Sequence, residues 1–408
     1  MADASFSPKD SFHLSQLIYD SRYRSLTIQT VAMMLLMLGI GWLVYNTTVN
    51  LAALGKDISF AYLWTTAGYD INQQLIPYTS QDNHARAALL GILNTLLIAV
   101  LGCLLATIIG VFAGVLRLSK NWVVSGLMTV YVEGFRNIPL LIWILIIFAV
   151  MTEGMPQPRD FRPDENGVAE ASMILWNTVA VTNRGVFVPR PVWGDTAWML
   201  GIVLALSIVA IFAVRSWARK RQEATGEQVP VLLIGIALLV LPTVLAYFVL
   251  GRPVTFDSPV LGGFNFQGGT QLRNSFIAIW LALSLYTGAF IAENVRGGIL
   301  AISKGQSEAA FSLGLRPNRT MQLVILPQAL RVIIPPLISQ YLNLTKNSSL
   351  AIAVGYMDVR STLGGISINQ TGRELEGMLL LGLFYLIASL LISSVMNVYN
   401  SRVKLKER

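Results

Sequence analysis

Glu308-Ala309-Ala310-Phe311-Ser312-Leu313-Gly314, followed by Val324-Ile325-Leu326-Pro327, is a short polar stretch set between long apolar runs. Its residues spell a brief helix. Ser303-Lys304-Gly305-Gln306 has the Ser-x-x-Gln form of a capping box, in which the two side chains satisfy free backbone N–H groups at a helix start. Glu308 lies in the first turns, where a negative charge suits the helix dipole. Ala309 and Ala310 are strong helix formers with little side chain. Gly314 suits the C-terminal cap, and Pro317 forbids continuation. The expected product is two to three turns with a small-residue face that another protein can approach closely.

Outward from this stretch the chain is dominated by apolar sequence. Of 408 residues, 54% are hydrophobic and only 13% charged, against about 25% charged in an ordinary soluble domain. The mean hydropathy is +0.59. A bilayer core needs about 20 apolar residues in a helix. Eight stretches meet that need: 28–46, 88–116, 123–151, 196–215, 230–250, 274–294, 325–346 and 377–399. The fold class expected is an all-α membrane protein. The seventh stretch carries Pro327, Pro335 and Pro336 with Arg331 and Lys346. Such residues survive in a span only where neighbours or a wet cavity satisfy the backbone, so a broken or pathway-lining helix is expected there.

The net charge of +8 does not mark a nucleic-acid binder. The Lys and Arg residues fall in short loops and form no continuous basic face. With the N-terminus placed in the cytoplasm, the basic clusters at 215–221 and 402–408 lie inside, as the positive-inside rule requires. The Glu308 loop lands on the same side, and the C-terminus is cytoplasmic too. The first apolar run follows a long polar lead and reads as a retained anchor, not a cleaved signal. The external segment 152–195 is polar and proline-bearing with apolar islands, so a packed cap is expected rather than a free linker.

Catalytic chemistry finds no support. No Gly-x4-Gly-Lys-Ser/Thr occurs, which excludes ATP binding by a P-loop. Two distant histidines, His13 and His84, read as loop residues and provide neither a metal site nor a catalytic triad. Cys103 is the single cysteine and sits in an apolar run, as an inert thiol does. No internal repeat or low-complexity tract stands out.

The spacing EAA, three residues, Gly, nine residues, then Val-Ile-Leu-Pro resembles the cytoplasmic coupling loop of bacterial ABC importer permeases, with Val324 where that family has Ile. Tyr286-Thr287-Gly288-Ala289-Phe290-Ile291-Ala292-Glu293-Asn294-Val295-Arg296-Gly297-Gly298-Ile299 is similar to the Y-x-x-A-x-x-A-E-x-x-R-G-G-I run of polar amino acid importer permeases. Leu326-Pro327-Gln328-Ala329-Leu330-Arg331 and Leu344-Thr345-Lys346-Asn347-Ser348-Ser349-Leu350 extend the likeness. Gly91-Ile92-Leu93-Asn94-Thr95-Leu96 and Phe135-Arg136-Asn137-Ile138-Pro139-Leu140-Leu141 carry it into the first half. It covers 87–151 and 274–400. The 152–273 insertion, with two additional spans, departs from the usual five-span core. That layout resembles the general L-amino acid and glutamate/glutamine/aspartate/asparagine permease subunits of Gram-negative bacteria.

The resemblance implies a type I ABC importer transmembrane core divided as 1–86 tail, anchor and external loop, 87–151 first core part, 152–273 insertion, 274–400 second core part, and 401–408 basic tail. The coupling loop spans about 296–324. Glu308, Ala309, Ala310, Gly314, Leu326 and Pro327 are then the ATPase-coupling residues. The implied partners are an ABC ATPase subunit carrying ATP and Mg, a second paralogous permease, a periplasmic substrate-binding protein, an amino acid substrate and the lipid bilayer of the bacterial inner membrane, with no nucleic acid. No metal or cofactor is expected on this chain. Candidate pathway residues within spans are Asn94, Thr95, Glu293, Asn343, Lys346 and Asn347, because intramembrane polar groups are costly and usually functional. For Glu293 and Lys346, near span ends, snorkelling to the interface serves equally well as an explanation. A secondary transporter driven by protons or sodium would instead show inverted repeats with discontinuous helices in matched halves, and these are not apparent. A membrane scaffold without transport is the remaining alternative.

Overall fold

The computed structural model describes residues 16–19, 21–164 and 167–403. The readings on His13 and the basic tail from 404 onward lie outside the described residues. Among the described residues, seven helices are long and apolar enough to cross a membrane, with a bent pair as an eighth candidate span. The first, α1 (Ser21–Ala53), has none of its apolar window buried. Asn83 starts α2 (His84–Leu116), its side-chain oxygen accepting from the Arg86 N–H at 2.9 Å. His84 is not a loop residue. It opens α2, is buried, and its Nδ1 lies 2.9 Å from Ser367 Oγ.

The third expected span, 123–151, is not one straight helix. It is α3 (Trp122–Asn137) and α4 (Leu140–Glu153), bent by 109°. Pro139 lacks an N–H, and Ile138 before it is extended (φ −103°, ψ 134°), the conformation a following proline favours. Phe135 stacks on Trp143 inside the elbow at 4.1 Å.

The cap draws on two segments. The first supplies β1 (Ala180–Thr182), β2 (Gly185–Val188) and β3 (Arg190–Trp193). Two helices follow, α5 (Ala197–Thr225) and α6 (Val231–Val249). The second segment supplies β4 (Val254–Asp257), β5 (Val260–Gly262), β6 (Asn265–Gln267) and β7 (Thr270–Leu272). The strands pair antiparallel as β1-β2-β7, β3-β4 and β5-β6, with Val186 opposite Leu272 and Arg190 opposite Asp257. Ala180, Phe187 and Phe266 form the small core of the cap. The 152–195 segment is thus packed, but against the 250–273 segment, whose contribution is a non-local pairing.

From the cap, α7 (Asn274–Leu300) runs to the opposite end, where α8 (Lys304–Ser312) lies. A wide turn at Met321–Ile325 leads into α9 (Leu326–Asn347), which contains Pro335 and Pro336, and a tight helical stretch, Ser348–Val354, continues it. The last helix is α10 (Glu374–Val403).

The core is the α2–α7 pair, joined by α4 and α9. Gly102, Ala106, Gly110 and Gly114 recur every fourth residue on α2, and all are buried. A Cβ at Gly110 would stand 2.5 Å from Ile291 Cβ, and one at Gly114 2.6 Å from the Ala292 carbonyl oxygen. Only absent side chains permit this approach, which is how helices associate where lipid removes the hydrophobic drive.

Candidate functional site: the coupling helix and the α9 face

The EAA stretch folds as the exposed helix α8. Gly314 is left-handed (φ 77°), and two bonds close the end of the helix. The Leu315 N–H donates to the Ala310 carbonyl at 3.1 Å and the Gly314 N–H to that of Phe311 at 2.9 Å, a paired termination that requires the left-handed residue. Pro317 then starts a new short turn. Ala310 is buried, while Glu308 and Ala309 are exposed. Phe311 and Leu313 are 49% and 81% exposed. A nine-residue helix that presents large apolar side chains to solvent, at the end opposite the cap, has the character of a docking surface.

The capping box does not form. The Ser303 side chain makes no cap bond. Gln306 instead accepts, through Oε1, from Gln328 Nε2 at 3.3 Å, and Gln328 Nε2 also donates to the Val324 carbonyl at 3.0 Å. Gln306 is therefore a strut between α8 and the start of α9, where Leu326 and Pro327 sit exposed. The Ser-x-x-Gln pattern concealed this role, because a glutamine serves a cap or a strut equally well.

The sequence profile described as "Binding-protein-dependent transport system inner membrane component" matches residues 224–405. The chain is 55% identical to the glutamate/glutamine/aspartate/asparagine transport system permease protein BztB of Rhodobacter capsulatus, over the whole of both chains. It is 46% identical to the general L-amino acid transport system permease protein AapQ of Rhizobium johnstonii, over 96% of this chain and 95% of that one. It is 42% identical to the putative amino-acid ABC transporter permease protein YhdX of Escherichia coli, over 90% and 91%. The chain belongs to the amino acid ABC transport permease family.

Within this permease the polar span residues separate into three groups. Asn94 and Thr95 are fully buried and bonded internally. Asn94 Nδ2 donates to the Gln73 and Met357 carbonyls at 3.0 and 2.9 Å. Thr95 Oγ1 donates to the Gly91 carbonyl and accepts from the Val359 N–H at 3.0 Å. Tyr356 donates to the Asn94 carbonyl at 3.0 Å. These bonds fasten the 355–362 segment to α2.

Glu293 lies near the C-terminal end of α7. It accepts from Arg117 at 2.5 Å and from Arg296 at 3.0 Å. Arg117 also reaches Glu133 of α3 at 3.3 Å. This cluster ties the ends of three helices together, and its importance was not apparent from spacing because Arg117 is 176 residues from Glu293.

Asn343 and Lys346 are exposed on α9, with Asn347 partly so. They share one face with Val332, Pro335, Pro336 and Ser339, all exposed, while Ala329, Ile333, Ile334 and Leu344 pack the other face into the core. Pro335 and Pro336 have no N–H, so the Arg331 and Val332 carbonyls lose their helical donors. A face of prolines, amide and ammonium groups is unsuited to lipid. Among the described residues no group of His, Cys, Asp and Glu is placed to hold a metal ion.

In the 355–362 segment Asp358 is fully buried. Its Oδ1 accepts from the Ser361 N–H at 2.8 Å and Oγ at 2.9 Å, and Oδ2 has no partner. Desolvation pushes the carboxyl up to about 6, against the opposing pull of the Ser361 bonds and the Arg360 charge.

Proposed function

We propose that the chain is one of two permease subunits of an ATP-driven L-amino acid importer, and that α8 is where its ATPase docks. The exposed Phe311 and Leu313 on a helix ended by a left-handed Gly314 carry this reading. Glu308, Ala309, Ala310 and Gly314 form the contact, and the Gln306–Gln328 bond with Leu326 and Pro327 passes its displacement into α9. ATP and Mg reside on the partner ATPase, which performs the hydrolysis. Both termini and α8 are cytoplasmic, and the β cap faces a periplasmic substrate-binding protein.

The uncovered α9 face with Asn343, Lys346 and Asn347 meets the second, paralogous permease and lines the passage between them. There an ammonium and amide groups suit the carboxylate of an amino acid. Asn94 and Thr95 hold the wall, and Glu293 braces its base. The acidic amino acids and their amides, named for the Rhodobacter relative, are the first cargo to test.

The test is uptake of labelled glutamate, glutamine, aspartate and asparagine by cells expressing the full transporter, with proton and sodium gradients clamped. Uptake should stop on ATP depletion. Uptake that continues would assign the chain to a secondary transporter instead.

A further inference from the structure

The hairpin α5–α6 stands apart from the permease core, and no residue of α6 is buried. Between the two helices runs a groove of about 400 Å³, within the range of sites that hold a small organic ligand. Ile211, Gly235, Ile236 and Leu239 line its length, and Arg215 closes it at the loop end, beside Val231. The groove opens on the surface that the bilayer covers, since the chain buries none of the apolar window of α6.

The charges around the loop end are unevenly used. Arg219 pairs with Glu223 at 3.2 Å, and Arg221 with Glu227 at 2.8 Å. Arg221 also lies over the Trp217 ring, 5.4 Å from its centroid. Among the described residues no carboxylate pairs with Arg215, which is exposed. A free guanidinium at the mouth of an apolar groove, at membrane-interface depth, matches a molecule with one anionic phosphate and a long hydrocarbon tail.

We propose that this groove is a binding site for an anionic glycerophospholipid. One acyl chain lies along Ile211, Gly235, Ile236 and Leu239, and the phosphate accepts hydrogen bonds from Arg215. Such a lipid covers the hairpin that the protein leaves bare and fixes its depth in the membrane. The inference does not depend on which ATPase or cargo the permease uses.

The test is native mass spectrometry of the full-length chain in mild detergent, titrated with phosphatidylglycerol. Phosphatidylcholine and inorganic phosphate are the controls. Arg215→Gln should lower retention of one phosphatidylglycerol by about fivefold, the value of one basic residue at an anionic lipid surface, and Arg215→Lys should restore most of it. Gly235→Leu should lower it comparably by filling the groove, since a Cβ there meets only Ile211 Cγ2, at 3.7 Å. If Gly235→Leu does not fold, Ile236→Trp obstructs the same wall from an exposed position. Retention unchanged in Arg215→Gln would overturn the proposal, as would equal retention of phosphatidylcholine. Complete competition by inorganic phosphate would overturn it too, because the tail would then contribute nothing.

Discussion

The α2–α7 pair and the α5–α6 pair are both long and apolar, yet one is core and the other is rim. In α7, 67% of the apolar window is buried, and in α6 none of it is. The difference lies in small residues. The α2–α7 contact has Ala106, Gly110 and Gly114 facing Gly288, Ile291 and Ala292, and these are buried, while Gly102 faces Leu344 of α9. Gly235 of α6 has only an ordinary contact ahead of it. Hydropathy therefore reports compatibility with lipid, while four-residue spacing of small side chains reports which helices touch.

The strongest way to break this comparison is to add the same side chain to both pairs. Gly110→Val would drive its Cβ to 2.5 Å from that of Ile291, and should destabilise the protein by at least about 3 kcal/mol or abolish its recovery. Gly235→Val should change stability by less than about 0.5 kcal/mol. Thermal unfolding of both purified variants in detergent decides it. Equal losses would mean that the two pairs are packed alike.

A second contrast concerns charge. Asp358 is buried against α2, whereas the Arg219–Glu223 pair ends α5 in the open. The carboxyl of Asp358 is raised from 3.8 to about 6 in the fold, so the unfolded chain gives up its proton first. Stability is fully present below 3.8, falls as pH rises towards about 6, and is level above it. The loss amounts to about 3 kcal/mol. Asp358→Asn keeps the Oδ1 acceptor for Ser361 and should remove that slope. Glu223→Gln, at an exposed ion pair, should cost no more than about 0.5 kcal/mol. A slope surviving in Asp358→Asn would place the titration elsewhere.

These contrasts explain what could be read from the residues. The spans were legible because about 20 apolar residues in sequence are a local signal, and the α8 stretch was legible because its terminator, Gly314, is local as well. The elbow at Ile138–Pro139 was within reach, since it contains a proline, but the apolar run through it hid the break. The second half of the cap was out of reach, because β2 meets β7 across more than 80 residues and strand pairing leaves no local trace. Asn94 and Thr95 were read as pathway candidates because intramembrane polar groups are costly and usually functional. Asn94 Nδ2 and Thr95 Oγ1 bond to backbone, while Asn94 Oδ1 has no partner.

The α8 end sharpens the comparison at smaller amplitude, because α8 is exposed like the hairpin and is the contact proposed for the ATPase. Gly314→Ala places a Cβ in the left-handed region, at a cost of about 1 kcal/mol to the helix end, and Gly314→Asn should cost less. Neither meets a neighbour within 4 Å in the chain itself. Gly314→Asp should therefore leave the purified permease folded while reducing ATPase co-purification and uptake, as should Phe311→Asp. Full uptake in both would remove α8 from the contact.

The smallest effect belongs to the strut. Gln306→Ala removes the shared neutral hydrogen bond, and Gln328→Ala removes it together with the bond to the Val324 carbonyl, each bond worth about 1 kcal/mol or less at a partly wetted site. The pair lies 22 residues apart across the turn before α9, so its loss loosens transmission without unfolding either helix. In a double-mutant cycle on uptake rate, the two changes should be strongly non-additive, the second costing little once the first is made. Additive losses would mean that α8 and α9 move through the Met321–Ile325 turn alone, and that the exposed helix is coupled to the core by backbone rather than by this bond.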